Sequence, residues 1–275
     1  DESPKTYTDF LRLFNQAKNL PDTSVLFNSA RLFQTGQWKQ PTVPSEAFKA
    51  AIDTNTTLLL GIWISSISTE LVALDNAFKT HGQKLADLVI GISVGNEDIY
   101  RSSLECRKHN NNQPCPSQAT AEQVNGHVTA VREAMKPWNN LFKTPPPIGH
   151  TDIVQFAAQD DLDFMGTNIY PYWANDPIDK AKESMGKKFD EVARHASSKP
   201  VWITETGWPS SGKEEGTMFA GSVQDMRRYW VEVGCKYFGK HNIWWFQLEQ
   251  DTKDVFDWGI LDVNTKQPKF DLSCP

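Results

Sequence analysis

No run of 18 apolar residues occurs anywhere in the 275-residue chain, which argues against a membrane-spanning helix. Net charge is −6 and no cluster of Lys and Arg stands out, which argues against nucleic acid as a partner. No CxxC or HExxH spacing is present, so nothing in the pattern calls for a metal, and no cofactor motif stands out. There is no low-complexity linker, domain boundary or internal repeat, so residues 1–275 are expected to form one domain. The chain opens at Asp1 without an initiating Met, and is expected to be a processed or trimmed form.

Cysteine is scarce, at four residues. Cys106 and Cys115 bracket a polar stretch that would gain order from a bridge, and Cys235 would then staple to Cys274. Such bridges imply an oxidising, extracellular setting, and the acceptor triplet Asn55-Thr56-Thr57 agrees with a secreted glycoprotein. What the chain has in quantity is aromatic: ten Trp, fifteen Phe and six Tyr, more than a core needs.

Two segments carry the chemistry. Val201-Trp202-Ile203-Thr204-Glu205-Thr206-Gly207-Trp208-Pro209 starts as an apolar strand, delivers one carboxylate and breaks at Gly207 and Pro209. Leu88 to Glu97 repeats the plan and ends on Gly95-Asn96-Glu97. Two carboxylates at strand ends among aromatics suit acid–base or nucleophilic work on a sugar. Taken singly, Glu97 has a generic surface acid as its alternative and Glu205 a structural carboxylate bonded to a neighbouring strand; both are the lesser reading, and the pairing weakens that of Glu97 further.

Around them stand seven expected strands: 25–33, 57–64, 88–97, 147–151, 162–170, 201–205 and 242–247. Helices are expected at 6–18, 44–52, 71–84, 121–135, 178–196 and 223–233, with a brief helical piece at 156–159. The alternation is a β/α pattern. A closed barrel needs eight strands, so either the first lies upstream of this chain or the sheet is open. Arg31 is a candidate partner for Glu205, catalytic or purely a scaffold. Asn96 is placed to bond a sugar hydroxyl and Tyr170 to donate to the nucleophile. Tyr172, Trp173, Trp208 and Trp245 are candidates for stacking on sugar rings, with core packing as the alternative for each. His150, at a strand end, is a further candidate to line the site.

The segment Trp202-Ile203-Thr204-Glu205-Thr206-Gly207-Trp208-Pro209 resembles the signature of glycoside hydrolase family 17. The likeness extends through Phe27-Asn28-Ser29-Ala30-Arg31-Leu32, Leu58-Leu59-Leu60-Gly61, Asp87 to Gly95, Pro147-Ile148-Gly149-His150 and Phe270-Asp271-Leu272-Ser273-Cys274, and is strongest to the fungal branch. That branch includes secreted and wall-associated endo-β-1,3-glucanases and β-1,3-glucanosyltransferases. The resemblance implies a (β/α)8 TIM barrel in a single domain, whose first strand is missing from this chain. It also implies β-1,3-glucan or laminari-oligosaccharide as substrate, Glu97 as acid/base, Glu205 as nucleophile, and Asn96 on the reacting sugar's 2-hydroxyl. Retaining double displacement is expected, with water or a second glucan chain as acceptor. An inverting hydrolase and an idle β-glucan-binding wall protein are the rivals.

Overall fold

The computed structural model describes residues 4–157, 159–214 and 216–275. Its strands are β1 (Ser29–Arg31), β2 (Gly36–Gln37), β3 (Gln40–Pro44), β4 (Thr57–Ile62), β5 (Val89–Asn96), β6 (Ile148–Ile153), β7 (Met165–Asn168), β8 (Val201–Thr206) and β9 (Ile243–Trp245). Seven of them pair in the order β1-β4-β5-β6-β7-β8-β9, every pair parallel. All seven expected strands are therefore present in sequence order, as a nearly closed β/α barrel of the TIM type. The hairpin β2–β3, after the first barrel strand, was not foreseen.

Alternation along β4 shows how the layers are made. Leu58, Leu60 and Ile62 pack with Phe48, Phe78, Val124 and Val128 from the helices, while Leu59 joins Phe164, Trp202 and Trp244 in a separate cluster. That second cluster plugs the barrel. The rings of Phe164 and Trp202 stack at 4.0 Å, and Trp244 lies 6.0 Å from Trp202. Gly91 makes room for the plug, since a Cβ there would sit 2.7 Å from the Trp202 ring.

Helices Tyr7–Lys18, Ala47–Thr54, Ile67–His81, Ala121–Met135 and Ile178–His195 fall close to their expected bounds. The Tyr7 helix starts in a capping box of Thr6 and Asp9, and the Ala121 helix in one of Thr120 and Gln123. The helix expected at 223–233 is α-helical over Val223–Tyr229 and widens to a π turn over Trp230–Gly234. Two corrections apply. Short helices Asp98–Ser102 and Leu104–His109, absent from the expected elements, follow Glu97; Ser103 caps the second by accepting from the Cys106 amide. The piece expected at 156–159 is a turn over 154–156, with residue 158 outside the described residues.

Among the described residues no strand lies between β9 and β1, and the polar start Asp1-Glu2-Ser3 falls outside them. Phe27, just before β1, packs 4.9 Å from Phe238 and 5.6 Å from Trp230, on the segment that leads to β9. Disulfides join Cys106 to Cys115 and Cys235 to Cys274, the pairing expected. They close segments with separations of 9 and 39 residues. Loop-closure entropy then gives about 2.5 and about 4 kcal/mol respectively. Paired Cys→Ser replacement at Cys235 and Cys274 should lower guanidinium unfolding stability more than the same replacement at Cys106 and Cys115. The reverse order would show that the C-terminal segment contributes little to the native fold.

Candidate active site

The site forms at the C-terminal ends of the strands, where strand geometry departs from simple alternation. In β8 the register with β7 slips: Thr167 pairs with Ile203, but Asn168 pairs with Glu205. The extra residue lets Thr204 and Glu205, neighbours in sequence, both reach Asn168. In β5 the ladder to β6 is irregular between Ser93 and Asn96, and Glu97 follows in a left-handed conformation with φ +60°. Its amide donates to the Thr151 carbonyl at 2.9 Å. Left-handed backbone is unfavourable for a residue with a side chain, and here it brings Asn96 and Glu97 to bear on the same space.

Glu205 is almost buried. Its Oε1 accepts from Arg31 Nη1 at 2.5 Å and from Asn168 Nδ2 at 3.1 Å, and its Oε2 from Tyr170 Oη at 2.8 Å. Arg31 turns its other nitrogen to Asn96 Oδ1 at 2.9 Å. Glu97 is half-buried and its Oε1 accepts from Asn168 Nδ2 at 2.9 Å. Thr204 donates to Asn168 Oδ1 at 2.9 Å, which leaves the Asn168 nitrogen facing the acids. Bonds of 2.9 and 3.1 Å from one nitrogen bring the Oε1 atoms of Glu97 and Glu205 within about 6 Å of each other.

The two acids have unlike surroundings. Glu205 has a guanidinium in contact. For Glu97, burial first and the charge of Glu205 second push the carboxyl up to about 7, against the lowering effects of the Asn168 bond and Arg101. Burial, aided by Glu205, holds the Tyr170 phenol well above its ordinary range, so it stays a donor.

The candidate residues do not all converge. Arg31, Asn96, Glu97, Tyr170 and Glu205 form one hydrogen-bonded cluster. Trp173 is 47% exposed and packs on Phe256 and Trp258, so it can offer a face to a ligand. Tyr172 and Trp208, each 1% exposed, correct the stacking expectation: they lie in the core with Phe256 and Tyr229, and the Tyr172 hydroxyl donates to the Phe219 carbonyl. Trp245 packs against Tyr229 and Trp230 in the layer outside the barrel, away from the acids. His150 is fully buried and lines no surface. Asn168 was missed; its signal was a lone amide at the end of an apolar strand, two residues before Tyr170. The exposed ring of Phe33, with the Arg31 guanidinium 4.4 Å from its centre, was missed too.

A β/α barrel that holds two carboxyls this close on its C-terminal rim is a scaffold of the glycosidase class. The comparisons agree. Residues 4–257 match the BtgE/BtgC glycoside hydrolase domain, and the chain belongs to that family. A probable glucan endo-1,3-β-glucosidase of Aspergillus fumigatus is 38% identical over 290 residues, covering 100% of this chain and 63% of the relative. One from Aspergillus terreus is 37% identical, with 58% of its length covered. The chain thus spans about three fifths of the curated relatives it matches. In fold it resembles the family 17 β-1,3-glucanosyltransferase from Rhizomucor miehei, with TM-score 0.78, 22% identity, and 99% and 94% of the two chains covered.

The proton on Glu97 has a consequence for stability. The folded state keeps it up to about pH 7, whereas the ordinary value is 4.5. The contribution of this group to stability is therefore full below 4.5 and lost as pH rises through 7. Glu97→Gln should be more stable than the parent at pH 8, by on the order of 2 kcal/mol after discounting for partial exposure, and equal to it at pH 4. Urea unfolding at both pH values checks this; a variant less stable at pH 8 contradicts it.

Proposed function

We propose that the chain is a retaining glycosidase of the family 17 type, acting on internal β-1,3-glucosidic bonds of β-1,3-glucan. The observation that carries the reading is the Asn168 amide shared by both acids. Oε1 atoms at most about 6 Å apart favour the close pairing of retaining enzymes, roughly 5–5.5 Å between carboxyl groups, over the roughly 6.5–9.5 Å of inverting ones. The names of the relatives favour the substrate class.

In the first step Glu205 attacks the anomeric carbon, the glycosidic C–O bond breaks, and Glu97 gives its proton to the departing oxygen. Arg31 and Tyr170 fix the Glu205 carboxylate, so its attacking lone pair is aimed and its charge is balanced in the resting state. Esterification removes the charge of Glu205, one of the causes that hold Glu97 protonated. Glu97 then takes a proton from the acceptor hydroxyl, which attacks and frees Glu205. Water as acceptor gives hydrolysis and a second glucan chain gives transfer. Asn96 has its oxygen engaged by Arg31 and Asn168, so its amide hydrogens are what it offers a sugar hydroxyl. Trp173 supplies a stacking face.

Two disulfides and the exposed Asn55, at the left-handed end of its helix, support a secreted, glycosylated, wall-associated protein. A mobility shift on enzymatic removal of N-glycans would check the glycoprotein reading.

Proton NMR during cleavage of laminarihexaose should show the β-anomer first; α-anomer first would establish inversion. Glu97→Ala and Glu205→Ala should each lower kcat by about 10²–10⁴-fold or more. Variants that release product at the parent rate would favour a binding protein. The alkaline limb of kcat/KM should fall near pH 7, as Glu97 loses its proton.

A further inference from the structure

Directly behind Glu97 lies a second charged group that has no surface to offer a substrate. His150 and Asp152 are fully buried and Asp98 is 1% exposed. Their hydrogen bonds determine where the protons are. His150 Nδ1 lies 2.6 Å from the Val94 carbonyl oxygen, which can only accept, so Nδ1 carries a hydrogen. His150 Nε2 lies 3.1 Å from Asp152 Oδ2, which already accepts the Ile99 amide at 3.0 Å. Asp152 Oδ1 accepts the Ile153 amide at 2.8 Å. Both Asp152 oxygens face donors, and the His150 ring joins that carboxyl to the Val94 carbonyl.

Asp98 stands on its other side. A Cβ on Gly95 would lie 2.1 Å from Asp98 Oδ2 and 3.1 Å from His150 Nδ1, so ring and carboxyl close around that glycine. Asp98 also accepts the Asn96 amide at 2.6 Å. Among the described residues, Asp152 and Asp98 are the charged groups that act on the ring. The neighbouring β7 places Met165 beside it, and the buried face of helix Ala121–Met135 presents Val124, Val128 and Val131. Burial alone would neutralise His150; the bond to and charge of Asp152, the Val94 carbonyl and Asp98 together outweigh it and raise its pKa.

These bonds seize the backbone on both sides of Glu97: the carbonyl of Val94 and the amides of Asn96 before it, and the amide of Ile99 after it. Between the anchors Glu97 is held left-handed, a conformation unfavourable for a residue with a side chain. Released, the turn would relax to negative φ and swing the carboxyl away from Asn168. We propose that His150, bridging Val94 and Asp152, is a positioning residue that keeps Glu97 aimed as acid and base. The inference rests on the proposed glycosidase chemistry but adds a residue that touches neither substrate nor reacting atoms.

The test separates aim from fold. His150→Gln keeps a donor for Val94 and removes the ring nitrogen that reaches Asp152. Kinetics are compared on laminarihexaose and on a dinitrophenyl β-glucoside of laminaribiose, whose leaving group departs without a proton. On laminarihexaose the variant should lose about 10–100-fold in kcat with KM within about 2-fold, a fraction of what general acid–base catalysis supplies. The first-turnover burst of dinitrophenolate should be far less affected, while its steady-state release slows at the base-dependent second step. Added azide, which attacks the glycosyl-enzyme without needing a base, should restore turnover on the aryl substrate and yield the β-glycosyl azide. A burst slowed as much as laminarihexaose cleavage, or no loss on either substrate, overturns the proposal. If His150→Gln does not fold, Asp152→Asn gives the same reading. A parent protein that cleaves neither substrate would instead sink the proposed function.

Discussion

One amide nitrogen, that of Asn168, donates to two carboxyl groups at once, and the rim of the barrel is arranged around that contact. Two acids this close repel, and in a partly dry site the repulsion is strong. The molecule resolves it by asymmetry. Arg31, 5% exposed at its side chain, pairs with Glu205 from the opposite edge of the sheet and sets a positive charge against it. Among the described residues the Glu97 carboxyl has Asn168 as its one hydrogen-bond partner. Burial first and the nearby Glu205 second raise Glu97, so it holds its proton up to about pH 7.

The fold supplies this asymmetry by local irregularity laid over a regular frame. Below the rim the barrel is filled by Phe164, Trp202 and Trp244, and the strand spacing there is set by apolar packing. Above it the ladders slip at Asn168–Glu205 and at Asn96–Thr151, and the backbone turns left-handed at Glu97. Strain at that turn is bearable because Asp98, His150 and Asp152 anchor both flanks. The buried ion cluster is therefore better understood as a device for geometry than as a source of stability, since its desolvation is costly.

Much of this was legible in the chain. Apolar runs such as Thr57–Ile62 announce buried parallel strands because nearly every residue meets core on one face or the other. A carboxylate ending such a run, as at Glu205, is conspicuous for the same reason. Arg31 stood out as a charge in an apolar strand. What could not be read was direction. Tyr172 and Trp208 sit beside site residues in sequence, yet backbone geometry turns them into the core, and Trp245 faces the outer layer. Asn168 carries no charge and matched no pattern, though its two-sided contact makes it central. The helices after Glu97 were hidden by the polar run to Cys115; a single cap, Ser103, marked the second.

The claim on which everything rests is that Glu205 forms a bond to the sugar while Glu97 manages the proton. The most direct measurement is mass analysis after incubation with 2-deoxy-2-fluoro-β-laminaribiosyl fluoride, which reacts with the nucleophile and turns over slowly. The account predicts one covalent glycosyl group, found on the peptide that carries Glu205. Labelling of Glu97 instead, or no label on protein that cleaves laminari-oligosaccharides, would contradict it.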